Sequence, residues 1–246
     1  MNERNALLSQ MRAVTLSREY GSGGGEIARR LAERLGWQLV DHEIVARVAQ
    51  ELNISEEEAE EYDERAESTV SLILNSMRAI SPAMFTAASE MAMTDSQTFR
   101  EVLSRVVEAA VETQHAVIVG RGSQVLLKDR RDVLHARIVA PLEKRIRYVM
   151  QREACSRTDA EARIRLKDHD RQRYLQTQYR CRPDDAHLYD IILNTGVLSL
   201  DSAVDLLILA LERKAAQLSV PAEKLGPAPG LPPYSGRPGD FHPPEA

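Results

Sequence analysis

The stretch Val14-Thr15-Leu16-Ser17-Arg18-Glu19-Tyr20-Gly21-Ser22-Gly23-Gly24-Gly25-Glu26-Ile27-Ala28 constrains the fold most, because a short apolar strand breaks into four glycines and then opens directly into a helix. Glycine reaches positive φ without strain and lets main-chain N–H groups approach an anion, and the first turn of the following helix adds unpaired donors. The segment therefore reads as a polyphosphate cradle. A glycine-rich turn without a ligand is the other reading, although four glycines exceed what such a turn requires. The nucleotide-loop pattern G-x-x-x-x-G-K-[ST] is not met: with Gly23 as its second glycine, Arg18 stands at the first and Gly24 at the lysine. Ile27, Leu31 and Leu35 mark one face of the helix, Arg29, Arg30, Glu33 and Arg34 are read as solvated, and Gly36 is placed to end it.

A chain of 246 residues, 43% hydrophobic and 28% charged, can bury one substantial core, and is expected to form a single α/β domain with an inserted subdomain. The net charge of −5 argues against a general nucleic-acid surface. No apolar run approaches the roughly 20 residues that span a bilayer, so a cytoplasmic protein with no membrane partner is expected. Cys155 and Cys181 fit neither a disulfide framework nor a zinc pattern and are read as reduced thiols. The six histidines show no metal-ligand spacing, and no Ser, His and Asp constellation is visible.

Strands are expected at 37–40, 116–119, 134–139 and around 190–196, in addition to the one before the glycines. Helices are expected after Asp41 and at about 96–113, 142–153, 159–180 and 199–216. A strand Ala116-Val117-Ile118-Val119 closed by Gly120-Arg121-Gly122 fits a position buried on both faces of a parallel sheet. Alternating strands and helices imply right-handed crossovers, with ligands at the carboxyl ends of the strands. Residues 53–95, rich in Glu, Ser, Met and Ala, read as an inserted helical subdomain covering the acceptor. Eight of the eleven prolines follow residue 220, so 217–246 reads as a disordered tail.

Phosphoryl transfer needs positioned positive charge more than a covalent participant, which turns attention to arginine. Arg18 begins the glycine loop, and Arg121 lies between two glycines at a strand end, where a charge has little structural purpose. Arg145 and Arg152, seven apart, share one helical face, with Arg147 pointing elsewhere. In Asp168-His169-Asp170-Arg171-Gln172-Arg173-Tyr174, Asp170 and Arg173 are spaced to pair on a helix, either as a surface ion pair or as a phosphate clamp with its orienting carboxylate.

Five segments, Ser17 to Gly24, Asp41-His42-Glu43, Gly120-Arg121-Gly122, Asp170-x-x-Arg173-Tyr174 and Tyr189 to Gly196, together resemble the bacterial cytidylate kinase-like family, a divergent branch of the P-loop nucleoside monophosphate kinases. The resemblance covers about residues 12–213. It implies a P-loop α/β kinase domain over 12–216, ATP with Mg2+ as donor, an inserted monophosphate domain and a lid over about 153–182. Small-molecule nucleotides would be its partners. Carried across, Gly21, Ser22, Gly23, Gly24 and Gly25 with Arg18 would hold donor phosphates. Arg121 would meet the acceptor monophosphate and Asp41 the acceptor nucleoside. Arg152 and Arg173 would be lid cations, with Asp170 orienting Arg173. The implied reaction is transfer of the γ-phosphoryl group to CMP or dCMP. Where classical cytidylate kinases carry an acidic residue after the strand-end Gly-Arg, this chain has Gly122. Glu26 stands near the phosphates either as a helix cap or as a metal contact. A nucleotide-binding sensor without turnover, and a P-loop kinase for another small acceptor, are the rival readings.

Overall fold

The structure, a computed structural model, describes residues 3–41, 96–113 and 115–226 of the chain. The expected subdomain at 53–95, the helix after Asp41 and residues 227–246 lie outside the described residues.

Five parallel strands form one sheet in the order β2-β3-β1-β4-β5, where β1 is Ala13–Arg18, β2 Gln38–Val40, β3 Ala116–Val119, β4 Val133–Val139 and β5 Ile191–Asn194. The four residues of β3 are all buried, as its uninterrupted apolar run demands of a strand covered on both faces. β1 sits at the centre, in register from Ala13↔Ala116 on one side and Ala13↔Val133 on the other.

Side chains alternate across a strand, and here the alternation separates two different faces. Val14 and Leu16 of β1 and Leu134, Ala136 and Ile138 of β4 pack on α2 (Gly24–Leu35) and on the helix Leu200–Ala216, through Ile27, Leu31, Val204, Leu207 and Leu211. Each such side chain, fully removed from water, contributes about 1.5–3 kcal/mol. The intervening residues Thr15, Ser17, His135 and Arg137 are polar and equally buried. Their face is covered by α3 (Ser96–Thr113), which meets β3, and by a short helix α4 (Ser123–Leu126) lying on β1.

After β4, the helices α5 (Leu142–Glu153) and α6 (Arg157–Tyr179) form an arm with a small core of its own: Ile146, Val149, Ala160 and Ile164, with Tyr20 packed against them. Ser156 caps α6, its hydroxyl accepting from the Asp159 amide at 3.2 Å. The arm is thereby tied to the glycine loop. The final helix, α7 (Leu200–Ala216), is capped by Ser199 in the same way at 3.0 Å.

The motif around Tyr189-Asp190 is a fastener for β5. The Asp190 carboxylate accepts from the His135 amide at 2.7 Å and from Lys214 Nζ at 2.6 Å, and the Asp190 amide donates to the His135 carbonyl at 2.7 Å. Two features differ from expectation. A helix α1 (Glu3–Leu8) precedes the core, on which Leu7 and Leu8 pack. The packed body also runs past 216: Leu218 joins the core and Arg131 donates to the carbonyls of Gln217 and Val220, each at 2.7 Å.

Candidate functional site

The loop after β1 is held from below. Ser22 Oγ donates to the carbonyls of Glu19 and Ile138 at 2.9 and 3.2 Å, and Thr195 Oγ1 donates to the Ser22 carbonyl at 2.8 Å. The serine hydroxyl thus serves the loop's own backbone. Gly23, at φ 78°, caps α2 without any side-chain bond, and the Ile27 amide is the first to close on it. The amides of Gly24, Gly25 and Glu26 consequently have no acceptor inside the helix. A Cβ built on Gly25 would meet nothing within 4 Å, so open space lies beside Gly25.

Arg18 explains the departure from the lysine pattern. Its stem crosses Gly24, where a Cβ would stand 2.6 Å from Arg18 Cβ, and its guanidinium passes over Gly120, whose α-carbon also has no room for a side chain. A lysine at position 24 would need the volume that Arg18 fills. Burial, and then the nearby Arg171 and Arg121, push the Arg18 guanidinium down to about 10, with Asp41 opposing them from the end of β2. Arg18 has no ion pair among the described residues.

Gly120, Arg121 and Gly122 have φ of 76°, 59° and 69°, three successive left-handed residues. Only Arg121 carries a side chain there, and its conformation costs on the order of 1 kcal/mol. Ser123 fixes the turn by donating its hydroxyl to the Gly120 carbonyl at 2.8 Å. Burial lowers Arg121 as well.

Asp168 ties the arm to the loop. Its carboxylate accepts from the Tyr20 amide at 2.7 Å, from Arg145 at 2.5 Å and from Arg171 at 3.3 Å. Arg171 lies over the Tyr20 ring, 5.4 Å from its centre, and burial is the first cause of its lowered basicity. The expected Asp170–Arg173 pair does not form: both residues are exposed, and the pairing carboxylate and arginine are Asp168 and Arg171. Helical phase gives the reason. Ala160, Ile164 and Leu175 are the buried positions of α6, and Asp168 and Arg171 lie four and seven residues after Ile164, on the same side. Arg152 is likewise exposed at the end of α5, whereas Arg145, with 12% of its side chain accessible, points inward to Glu19 and Asp168. Glu26 neither caps nor faces the loop. It pairs with Arg29 and Arg30, each at 2.8 Å, which hold its carboxyl down to about 2.

The structure therefore brings Arg18, Arg121, Asp41 and Gly21 to Gly25 to the carboxyl edge of the sheet, together with Asp168, Arg171 and Tyr20. The apolar residues of α6 follow no clear helical period, Leu166 among them being exposed, so the sequence carries no signal that singles out Asp168 and Arg171. Nothing in the sequence pattern sets Arg137 apart, because its meaning depends on which face of β4 it occupies.

A curated uronate isomerase of Corynebacterium glutamicum is 29% identical over 118 residues, 48% of this chain and 22% of that protein. The chain thus spans about a fifth of the relative it matches. Among solved structures, an uncharacterized protein from Eubacterium ventriosum shares the fold, with a TM-score of 0.55 and 22% identity over 81% of this chain and 98% of that one. Shikimate kinase from Acinetobacter baumannii, in complex with shikimate, is also similar, with a TM-score of 0.46 and 14% identity over 85% and 98% of the two chains. The model of the cytidylate kinase-like family matches residues 13–197, from the first strand through the glycine cradle, the Gly120-Arg121-Gly122 turn and the arm to the turn after β5; the chain belongs to that family.

Proposed function

We propose that this chain transfers the γ-phosphoryl group of ATP, with Mg2+, to a nucleoside monophosphate, with CMP or dCMP as the acceptor. The observation that carries this reading is the concentration of partly buried guanidinium groups, from Arg18, Arg121 and Arg171, around a glycine cradle with unpaired helix amides. Burying cations beside one another is unfavourable unless an anion joins them, and a polyphosphate is the anion such a cradle accommodates.

ATP fits the residues present. Gly21 to Gly25 and Arg18 would hold its phosphates, in the space that a side chain at Gly25 would enter. The described residues contain no cluster of three or more carboxylate, histidine or cysteine side chains suited to a metal. Magnesium, which keeps several waters and takes few protein ligands, would then travel on the phosphate oxygens. It would supply charge neutralisation across the transferring group.

The rest is the work of the chain. The acceptor's phosphate is itself the nucleophile, so the protein's task is alignment and stabilisation of charge. Arg121, pre-set by its left-handed turn, would orient the acceptor phosphate. Arg171, fixed by Asp168, would meet charge on the transferring oxygens, and Asp41 would face the acceptor nucleoside. Arg152, Asp170 and Arg173, exposed on the arm, would join only if α5 and α6 close as a lid over 153–182. The segment 53–95 would cover the acceptor.

The test is ADP formation from Mg-ATP against CMP, dCMP, UMP, AMP, GMP and dTMP, with Arg121→Ala as the control. Acceptor-dependent ADP with CMP or dCMP, reduced about 10³-fold in the variant while its circular dichroism is unchanged, is the expected outcome. Binding of ATP with no turnover on any acceptor would make the chain a sensor, and turnover on a non-nucleotide alone would make it a kinase of another substrate.

A further inference from the structure

One buried cation has no part in the reading above. Arg137, near the carboxyl end of β4, is 8% exposed. It stands directly opposite Ser17 in the register of β1 and β4, on the polar face of the sheet. Its five N–H donors have one hydrogen-bond partner among the described residues, the Ser17 hydroxyl at 3.2 Å. Its guanidinium carbon lies 5.7 Å from the centre of the Tyr189 ring. Tyr189 is anchored in turn, its hydroxyl donating to the Pro183 carbonyl at 2.9 Å and to Ser17 Oγ at 3.3 Å. The neighbouring carboxylate of Asp184 is already occupied by Arg182, at 2.8 Å.

A buried guanidinium with one neutral hydrogen bond and no carboxylate is costly, because the donors taken from water are not replaced. The stack on Tyr189 offsets part of that cost and fixes the plane of the group. What remains is an oriented, under-bonded fork. Its place is informative as well. α2, into which the donor loop runs, packs on the face of Val14, Leu16, Ala136 and Ile138, while Arg137 leaves β4 on the opposite face. Arg171 is close enough that the Arg137 charge is one of the influences lowering it.

We propose that Arg137 is the floor of an acceptor-side anion seat, in which its free N–H donors, with Arg171 beside it, bond the oxygens of a phosphate monoester across the sheet edge from the donor loop. The seat deepens the kinase reading and rests on it for the identity of the monoester. It makes acceptor recognition depend on a residue of the central sheet as well as on the strand-end Arg121. A guanidinium can engage two phosphate oxygens at once, which a lysine at the same place cannot do.

The test uses the full chain with its donor loop filled by Mg2+ and a non-hydrolysable ATP analogue, and titrates inorganic phosphate calorimetrically into wild type, Arg137→Met and Arg137→Lys. Wild type should bind phosphate, Arg137→Met should bind it about tenfold or more weakly, and Arg137→Lys should fall between. The melting temperature of ligand-free Arg137→Met should equal or exceed that of wild type, since an uncompensated buried charge has been removed. Two results overturn the seat: phosphate affinity unchanged in Arg137→Met, or a melting temperature in that variant well below wild type, which would make Arg137 a structural cation. The kinase reading fails separately. Arginine-dependent phosphate binding without turnover on any acceptor leaves the seat standing, whereas turnover on CMP with an unaltered acceptor KM in Arg137→Met removes the seat and keeps the kinase.

Discussion

The two ends of the sheet both carry clustered arginines, and they treat them in opposite ways. At the amino end, Arg130 pairs with Asp132 at 2.8 Å and also with Glu112, and Arg131 is held by two carbonyls. Hydrogen bonding to Asp132 raises the basicity of Arg130. At the carboxyl end, Arg18, Arg121 and Arg171 are lowered, in each case first by burial. One end has matched each of these cations with acceptors that the fold itself supplies. The other has taken Arg18 and Arg121 out of water with no ion pair among the described residues, and gives Arg171 only a share of Asp168, at 3.3 Å, an arrangement that stability alone does not favour. On the proposed reading, the paired arginines hold the fold and the under-paired ones are those that would meet a phosphate.

Exchanging the roles in mutants is the direct way to break that contrast. Arg18→Met should weaken ATP binding by about 10–100-fold, the loss of a charge-assisted contact worth about 1.4–2.8 kcal/mol, while the melting temperature stays level or rises. Calorimetric titration of ATP and a thermal melt of the same preparation decide it; an Arg18→Met protein that binds ATP normally would show that the loop amides suffice. Arg130→Ala should do the reverse. Its side chain is 32% exposed, so screening limits the loss to about 1 kcal/mol, or about 2–4 °C in melting temperature, with turnover unchanged. A drop in turnover there would mean that the amino end also serves the site.

The sequence made the sheet and the cradle legible because both rest on local signals. The apolar run Ala116 to Val119 and the Gly21 to Gly25 loop each declare their role within a few residues. Arg121 stands out in the sequence as well, as a charge between two glycines, and the structure places it in a left-handed turn at the end of β3. The arm was read two residues out of phase. Asp170 and Arg173 have the same spacing as Asp168 and Arg171, and only the buried Ile164 and Leu175 settle which pair faces the loop. That the Arg18 side chain occupies the volume a lysine at position 24 would need is not legible in the sequence, because it depends on the start of α2 and the end of β3 meeting the same side chain. Arg137 was hidden for a related reason: whether it faces the core or the site depends on the register of β4 against β1.

The smallest effect probes the polar face beneath the site, where His135 is 6% exposed and its Nδ1 lies 2.7 Å from Thr15 Oγ1. Burial lowers its pKa, Lys214 adds to the lowering, and Asp190 and a backbone bond involving Leu127 oppose it. A histidine held neutral by the fold still takes up a proton once unfolded. The unfolded state therefore binds more protons as the pH falls below about 6.5, and stability declines from there until the folded value is passed. The slope limit is about 1.4 kcal/mol per pH unit for one such proton. Glu26 acts in a separate window. As a carboxylate lowered to about 2, it contributes stability above about 4.5 that is lost as the pH falls toward 2. Wild type should accordingly lose melting temperature between pH 7 and 5, and His135→Gln should lose measurably less over that interval. Parallel curves for the two proteins from pH 7 to 5 would mean that Asp190 compensates the burial of His135, and that the polar face under the site is electrostatically as settled as the paired amino end.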